Sequence, residues 1–121
     1  MGAQNGALKV ALAALDTAGG ILSLANPEGC DLIVTKLALN VTTIATAACT
    51  VDVGIAANGS TSADNLIDGQ DVHSATGAFA NLGTNGKRAM LWKSAEFLNI
   101  SMATGAAAGL KGAAYIEYIR V

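Results

Sequence analysis

Charged and aromatic side chains are scarce in this chain. Charged residues make up 13% of its 121 residues, which is about half the usual share for a soluble domain. Aromatic residues make up 4%, so the apolar content comes mostly from Ala, Leu, Ile and Val. Because few charges are available to cover a solvated surface, the composition favours a protein that buries much of itself against copies or a partner. A monomer with a mild Thr, Ser and Asn surface is the alternative.

Several binding classes are disfavoured by what is missing. The net charge is −2 and only Lys87 and Arg88 are adjacent basic residues, so no basic stripe predicts a nucleic-acid partner. No uninterrupted apolar run approaches the roughly 20 residues that span a bilayer, so no membrane partner is expected. Cys30 and Cys49 match no redox or zinc spacing. They lie beside apolar runs, which predicts buried, reduced thiols.

Short apolar segments separated by turn residues recur along the chain, and none has a long helical period. In "CTVDVGI" (residues 49–55) apolar residues alternate with polar or small ones, as a half-buried antiparallel strand requires. Related patterns predict strands at Asp31 to Val41, Arg88 to Lys93, Glu96 to Met102 and Ala113 to Val121.

The N-terminal segment "ALKVALAALD" (residues 7–16) is compatible with two structures. Leu8, Leu12 and Leu15 suit one face of a helix, whereas the alternation from Leu8 to Ala14 suits a strand. A Gly-containing turn and a second apolar segment, Ile21 to Leu24, follow directly. This order favours a β-hairpin.

Six to eight short strands with Gly and Asn turns predict an all-β fold. We expect a single-domain antiparallel β-sandwich, jelly-roll-like, over residues 7–121. Residues 1–6 are expected to form a flexible N-terminal arm.

The stretch from Val51 to Val72 contains more acid than any other part of the chain. A helix–loop–helix calcium loop starting at Asp64 fails at its third position, Leu66, and at its twelfth, Ala75. Turn dipeptides such as Asn58-Gly59 explain the stretch without a metal. We therefore expect no metal site. A looser calcium site with backbone carbonyls remains open, and its weak candidate ligands are Asp64, Asp68 and Asp71.

Other candidate sites have simpler structural interpretations. "GTNGKR" (residues 83–88) lacks the first Gly and the final Ser or Thr of a phosphate loop, and it predicts a hairpin turn at Asn85-Gly86. His73 is the only histidine, which disfavours zinc and acid–base roles. Trp92 and Phe97 are expected in the core, with a sugar-stacking platform as the alternative. No catalytic residue and no cofactor is predicted.

Three segments carry a resemblance to a known group of proteins. They are "ALKVALAALDTAGGILSLANPEG", "TVDVGIAANGSTSADNLIDGQDV" and the ending "GAAYIEYIRV". With them the chain, from about residue 7 to residue 121, resembles small structural proteins of tailed-phage and prophage head gene clusters, which are called head decoration or head-fibre proteins. This family supplies no active-site residues.

The resemblance implies a non-enzymatic virion protein that binds the outside of a phage capsid and stabilises it. The implied partners are its own copies, as a homotrimer, and the major capsid protein. Such a protein is made in the cytoplasm of the host bacterium and is located on the capsid surface.

The surfaces that would carry this function can be assigned from the pattern of apolar residues. The segment Met1 to Leu15 is expected to dock on the shell. Low-charge strands, including Ile33 to Leu39 and Tyr115 to Val121, are expected to contact other copies. The predicted interface residues are Leu8, Val10, Leu12, Leu15, Tyr115 and Tyr118.

A second function remains open. The chain is also compatible with a β-sandwich module of a phage tail or cell-surface protein that recognises glycans or a host surface. Trp92, Tyr115 and nearby Asn or Asp residues would then stack on and hydrogen-bond a sugar.

Overall fold

The computed structural model describes residues 5–12, 20–87 and 89–121. Within these ranges the chain forms nine β-strands and no helix. The strands are β1 Asn5–Ala11, β2 Gly20–Ala25, β3 Leu32–Thr43, β4 Cys49–Ala56, β5 Ile67–Asp71, β6 Gly77–Ala80, β7 Met90–Trp92, β8 Phe97–Gly105 and β9 Lys111–Arg120.

The strands form two antiparallel sheets. Sheet A has the order β1-β9-β3-β6, with β7 also paired to β3, and sheet B has the order β2-β8-β4-β5. The chain crosses between the sheets repeatedly, because β1, β3, β6, β7 and β9 belong to sheet A and the other four strands to sheet B. The prediction of an all-β antiparallel sandwich is confirmed. The predicted number of strands, six to eight, is slightly below the nine that the described residues form.

The core lies between the two sheets and follows the alternation of the sequence. Along β9, Ala114, Ile116 and Tyr118 are buried, whereas Tyr115, Glu117 and Ile119 are exposed. Sheet B contributes inward side chains in the same way, such as Leu98 and Ile100 of β8. Each Leu or Ile removed from water contributes about 1.5–3 kcal/mol. These side chains therefore hold the sheets together without a disulfide, since both cysteines are free.

Two predicted hairpins are wrong. The N-terminal strand and the Ile21 segment do not pair with each other, because β1 pairs with β9 and β2 pairs with β8. The turn before Gly86 does form, with the Gly86 N–H donating to the Gly83 carbonyl (3.0 Å), yet the strands on either side of it, β6 and β7, both pair with β3. In a sandwich, a local turn signal does not decide which strand becomes the neighbour.

The acidic stretch contains a strand that the sequence did not indicate. β5 pairs with β4 and includes Asp68, Gly69 and Asp71. Gly69 has a φ of 70°, a left-handed conformation that glycine adopts without steric cost. Because Asp and Gly are depleted in strands, their presence indicated a turn rather than an edge strand.

The N-terminal assignment is only partly covered by the described residues. Asn5 and Gly6 belong to β1, and β1 is a strand rather than a helix. Residues 1–4 and 13–19, which include the predicted interface residue Leu15, lie outside the described ranges. The boundary of a flexible arm at residue 6 stays a prediction.

Candidate interface

The outer face of sheet B is covered by the connection between β4 and β5, residues 57–66, here called the covering loop. Asn99 of β8 lies on this outer face, between two core residues in sequence, and is only 4% exposed. Its Nδ2 donates to the carbonyl oxygens of Asn58 (2.9 Å) and Thr61 (2.8 Å). The hydroxyls of Ser62 and Ser101 are 2.7 Å apart. The loop is therefore fastened to β8 through the buried polar side chains of Asn99 and Ser101.

A second set of contacts fastens the covering loop to β4. The Asn65 side chain accepts from the Ile55 N–H (2.8 Å) and donates to the Ile55 carbonyl (3.0 Å). β5 pairs with β4 only as far as Val53, so at Ile55 the Asn65 amide makes the hydrogen bonds that a neighbouring strand would make. Gly54 makes this approach possible, since a Cβ there would lie 2.7 Å from both the carbonyl carbon and the Cβ of Ala63. The part of the sheet B face around Gly54 and Asn99 is thus covered by the protein's own chain, and a depression of about 390 Å³, lined by Leu22, Ser60 and Met102 among others, remains beside the loop.

The acids of the predicted calcium stretch make separate contacts. Asp71 accepts from the backbone N–H groups of His73 (2.8 Å) and Ser74 (3.1 Å) and from the Ser74 hydroxyl (2.6 Å). These bonds, with that of the Ser74 hydroxyl first, lower the pKa of Asp71. Asp68 lies 3.5 Å from the Lys87 ammonium.

Asp52 is the acid of this region whose ionised form is disfavoured by its surroundings. Its Oδ1 accepts from the Gly69 N–H (2.9 Å). Burial raises the pKa of Asp52 most, and the nearby charges of Asp68 and Asp64 add to this effect. Across the described ranges, no three His, Cys, Asp or Glu residues are grouped so that they could hold a metal ion.

The outer face of sheet A, by contrast, remains exposed to solvent. One cross-strand row joins Asn5, Ile119, Ile33 and Leu91 on four strands. Leu91 is 41% exposed and Ile119 is 38% exposed. Tyr115, on the same face of β9 as Ile119, is 40% exposed. Most of the other residues on this face have small side chains, namely Ala7, Ala11, Ala38, Ala78, Ala80 and Ala113. Between its charged residues, this surface is largely apolar.

The charges on this face are mostly positive. Lys9, Lys36 and Lys111 lie exposed on β1, β3 and β9, and Glu117 is the carboxylate between them. The ion pairs of the described chain join Lys87 with Asp68 and Arg120 with Glu28. The three lysines therefore have no ion-pair partner among the described residues. The Lys9 ammonium lies 5.6 Å from the centre of the Tyr115 ring.

A shallow depression of about 290 Å³ lies on the same face. Gly112 and Ala113 contribute little side-chain volume there, and Lys9, Tyr115 and Asn40 also line it. A cation, an aromatic ring and an amide thus surround a small space.

The predicted interface residues lie in different environments. Leu8 and Leu12 pack against the protein's own core and Val10 is half-buried. Tyr118 is buried, whereas Tyr115 is on the exposed face of sheet A. Within a single chain, Tyr115 is therefore the described member of the set with the largest exposed surface. A role for these residues between chains stays a prediction.

Tyr118 belongs to a polar network at one end of sheet A. Its hydroxyl donates to Glu28 Oε2 (2.5 Å), and Arg120 Nη2 donates to the same oxygen (2.7 Å). Arg120 Nη1 also donates to the Asn5 carbonyl (2.9 Å). The hydrogen bonds from Arg120 and then Tyr118 lower the pKa of Glu28, and the bond to Glu28 raises the pKa of Tyr118. The turn before β3 is thereby fixed to β9 and β1.

The structure also places the tryptophan, the histidine and the two cysteines that were singled out in the sequence. Trp92 is fully buried and its Nε1–H donates to the Glu96 carbonyl (2.9 Å), so the predicted core role is confirmed and a sugar-stacking role for Trp92 is wrong. The Nδ1 of His73 is 2.8 Å from the Ala45 carbonyl. Cys49 is buried, which raises the pKa of its thiol, and Cys30 is half-buried.

The contacts that cover part of sheet B could not be predicted from the sequence, because Asn99 and Asn65 stand where ordinary strand and turn residues are expected. A signal was present in "FLNISM" (residues 97–102), where Asn and Ser alternate with buried Leu and Ile. A polar side chain in such a strand shows only that it faces outward, not that a loop lies over it.

No helix in the described part of the chain is long and apolar enough to cross a bilayer. No family model matches the sequence, and no curated protein matches it.

Chains in three phage capsid structures share this fold. The first is a chain in the acidic stable capsid structure of Helicobacter pylori bacteriophage KHP30, with a TM-score of 0.64 and 15% identity over 97% of this chain and 88% of that one. The second, in the capsid of Ralstonia phage GP4, has a TM-score of 0.66 and 19% identity over 97% of this chain and 84% of that one. The third, in the cyanophage Pam1 capsid asymmetric unit, has a TM-score of 0.53 and 13% identity over 100% and 89%. Each of these chains is only slightly longer than this one, and the shared fold accounts for most of it.

Proposed function

We propose that this protein is a non-enzymatic structural protein of a bacteriophage particle, which binds the outside of the capsid and stabilises it as a decoration protein. The observation that carries the proposal is the fold shared with chains of three phage capsids over nearly the full length of both partners. The phage head resemblance of the sequence points to the same class of protein. The proposed location is the surface of the virion, after synthesis in the cytoplasm of the host bacterium.

The proposed partners are the major capsid protein and two further copies of this chain, in a homotrimer. The face of sheet A supports an assembling protein, since Leu91, Tyr115 and Ile119 are exposed together there and exposed apolar side chains grouped on one surface often mark an interaction site. A trimer also binds a shell through three equivalent contacts, and the second and third contacts form at a high effective concentration. Contacts that are weak one by one, at about 25 cal/mol per Å² before association costs, then add up.

We also assign the sandwich to the jelly-roll type. Support comes from the two four-stranded paths, β1-β9-β3-β6 and β2-β8-β4-β5, because a jelly roll is a double sheet whose chain alternates between sheets in two Greek keys. β7 is then an additional strand beside β6 on the edge of β3.

The test uses empty heads of the parent phage, prepared with this gene deleted. Purified protein is mixed with these heads and, separately, with loose capsid subunits, and co-sedimentation is measured. We expect saturable binding to heads only, and heated heads that carry the protein should retain their shape at higher temperature. Failure to bind heads overturns the proposal. Light scattering behind a sizing column, with and without a calcium chelator, tests the homotrimer and the metal-free expectation together.

A glycan-binding module is the second candidate function. The observation in its favour is the depression beside Tyr115, where a ring, an ammonium and an amide could contact a sugar. Trp92 takes no part, because it is buried. A glycan array with Tyr115→Ala as the matched variant separates the two functions. Glycan binding by the wild type that is lost in this variant supports the glycan-binding module. An array on which the wild type binds no glycan counts against the module and favours the capsid role.

A further inference from the structure

The two outer faces of the sandwich differ in cover and in charge. The face of sheet B is partly covered by the covering loop, and its side of the molecule carries Asp52, Asp64, Asp68 and Asp71 against one lysine, Lys87. The face of sheet A is open and carries three lysines against Glu117. The chain as a whole has a net charge of −2, so the positive charge of this face results from how the charges are distributed.

The acids of the chain are poorly placed to neutralise these lysines in a second copy. Most of them are already engaged within their own chain, by hydrogen bonds or by a cation. The engaged carboxylates are Glu28, Asp31, Asp52, Asp68, Asp71 and Glu96. Two copies that met through the faces of their A sheets would also bring lysines toward lysines, which is unfavourable once water is excluded.

We propose that the outer face of sheet A is the surface that docks on the capsid shell, and that the shell meets it with an apolar area carrying acidic side chains. This inference rests on the proposed function and adds the surface and the chemistry of the partner. It assigns to the shell the face whose strands β3 and β9 were expected to contact other copies.

The details of the face fit such a partner. Alanines allow the backbone of another protein to approach the sheet closely, and the row of Ile33, Ile119 and Leu91 supplies apolar area. Because the lysines stand on three strands, their ammonium groups cover the surface broadly. Carboxylates opposite them would gain partners without breaking any ion pair of the described chain. Buried apolar area with charges around it is the usual composition of a protein interface.

The test compares two sets of variants on gene-deleted heads of the parent phage. In the first set Lys9, Lys36 and Lys111 are all replaced by Gln, and in the control Lys87, whose ammonium lies 3.5 Å from Asp68 on the side of sheet B, is replaced by Gln. We expect the triple variant to bind heads about tenfold or more weakly and to lose much of the salt dependence of binding between about 50 and 300 mM. The control should bind like the wild type. Glu117→Gln, which removes the acid of the face, should bind more tightly.

The outcomes separate this inference from the proposed function. Wild-type protein that ignores heads overturns the proposed function itself. A triple variant that binds as well as the wild type, while the wild type binds, overturns only the inference. A triple variant whose mass in solution falls shows that the face joins copies of this chain, and this also overturns it. Unchanged thermal unfolding of each variant establishes that folding is intact.

Discussion

Asn99 Nδ2 donates to the carbonyl oxygen of Asn58, 2.9 Å away and 41 positions earlier in the chain. This bond connects strand β8 to the covering loop across the outer face of sheet B. A second bond from the same amide to Thr61 fixes the direction in which the loop runs. The position of the whole loop thus depends strongly on one buried side chain.

Replacement of this side chain should release the loop. In Asn99→Ala the carbonyls of Asn58 and Thr61 lose their donor, and we expect the free energy of unfolding to fall by about 1–3 kcal/mol. Limited proteolysis should cut within residues 57–66 faster than in the wild type. Chemical denaturation and mass spectrometry of the fragments measure both effects. Asn85→Ala serves as the control, and equal loss in both variants would contradict the assigned role.

Gly54 provides a steric test of the same loop. In Gly54→Ala the new methyl group would lie 2.7 Å from Asn65 Oδ1 and from Ala63, so the loop must move and we expect a loss of about 1–3 kcal/mol. Gly20→Ala is the matched control, since a Cβ at Gly20 meets nothing within 4 Å. Thermal unfolding of both variants is the measurement. Similar melting temperatures would show that the loop does not rest on β4.

The network around Glu28 should make stability depend on pH. Folding lowers the pKa of Glu28 from its usual 4.5, chiefly through the hydrogen bond from Arg120. Its carboxylate therefore stabilises the fold above pH 4.5, and this contribution is lost as the pH falls through the lowered pKa. In Glu28→Gln the stability at pH 7 should be lower and the decline toward pH 3 smaller than in the wild type.

Denaturant unfolding at several pH values between 3 and 7 measures this difference. Glu117→Gln is the control, because Glu117 lies on the outer face of sheet A, outside the network. A decline toward acid that is as steep in Glu28→Gln as in the wild type would remove Glu28 as its cause.

Trp92 and Tyr115 should respond oppositely to truncation. Trp92→Ala leaves a cavity and should cost about 3–5 kcal/mol, and wild-type Trp92 fluorescence should resist quenching by acrylamide. Tyr115→Ala removes an exposed ring and should change stability by less than about 0.5 kcal/mol. Unfolding followed by circular dichroism compares the two. A marked loss in Tyr115→Ala would show that this ring supports the fold.

The sequence predicted the strands well where the alternation was regular. In β4 the alternating residues Cys49, Val51, Val53 and Ile55 all lie in the core, because period-two alternation is a local consequence of strand geometry. In β8 Leu98 and Ile100 lie in the core as the alternation predicts, but Asn99 and Ser101 on the opposite face are buried as well. β5 was missed, since Asp68 and Gly69 are turn residues by local preference and become part of a strand only through β4. The two wrong hairpins have the same origin, because the partner of a strand is chosen by the whole sandwich.

The candidate interface was predictable only in part. Tyr115 and the low charge of β3 and β9 pointed to the surface that proves to be exposed. The common location of the lysines could not be inferred, since Lys9, Lys36 and Lys111 are far apart in sequence and share a face only through the pairing of β1, β9 and β3. The cover over sheet B likewise depends on contacts between distant positions, such as Ser62 with Ser101.

The order of sheet A has a consequence for biosynthesis. β9 is the last described strand to be made, yet it lies between β1 and β3. Until β9 has emerged from the ribosome, β3 can pair only with β6 and β7, and β1 has no strand to pair with, so the complete sheet A cannot form. The chain must therefore complete its fold after Lys111–Arg120 has emerged, and a product truncated before β9 would lack the strand that joins the two parts of the sheet. Only chains translated at least that far can reach the native structure.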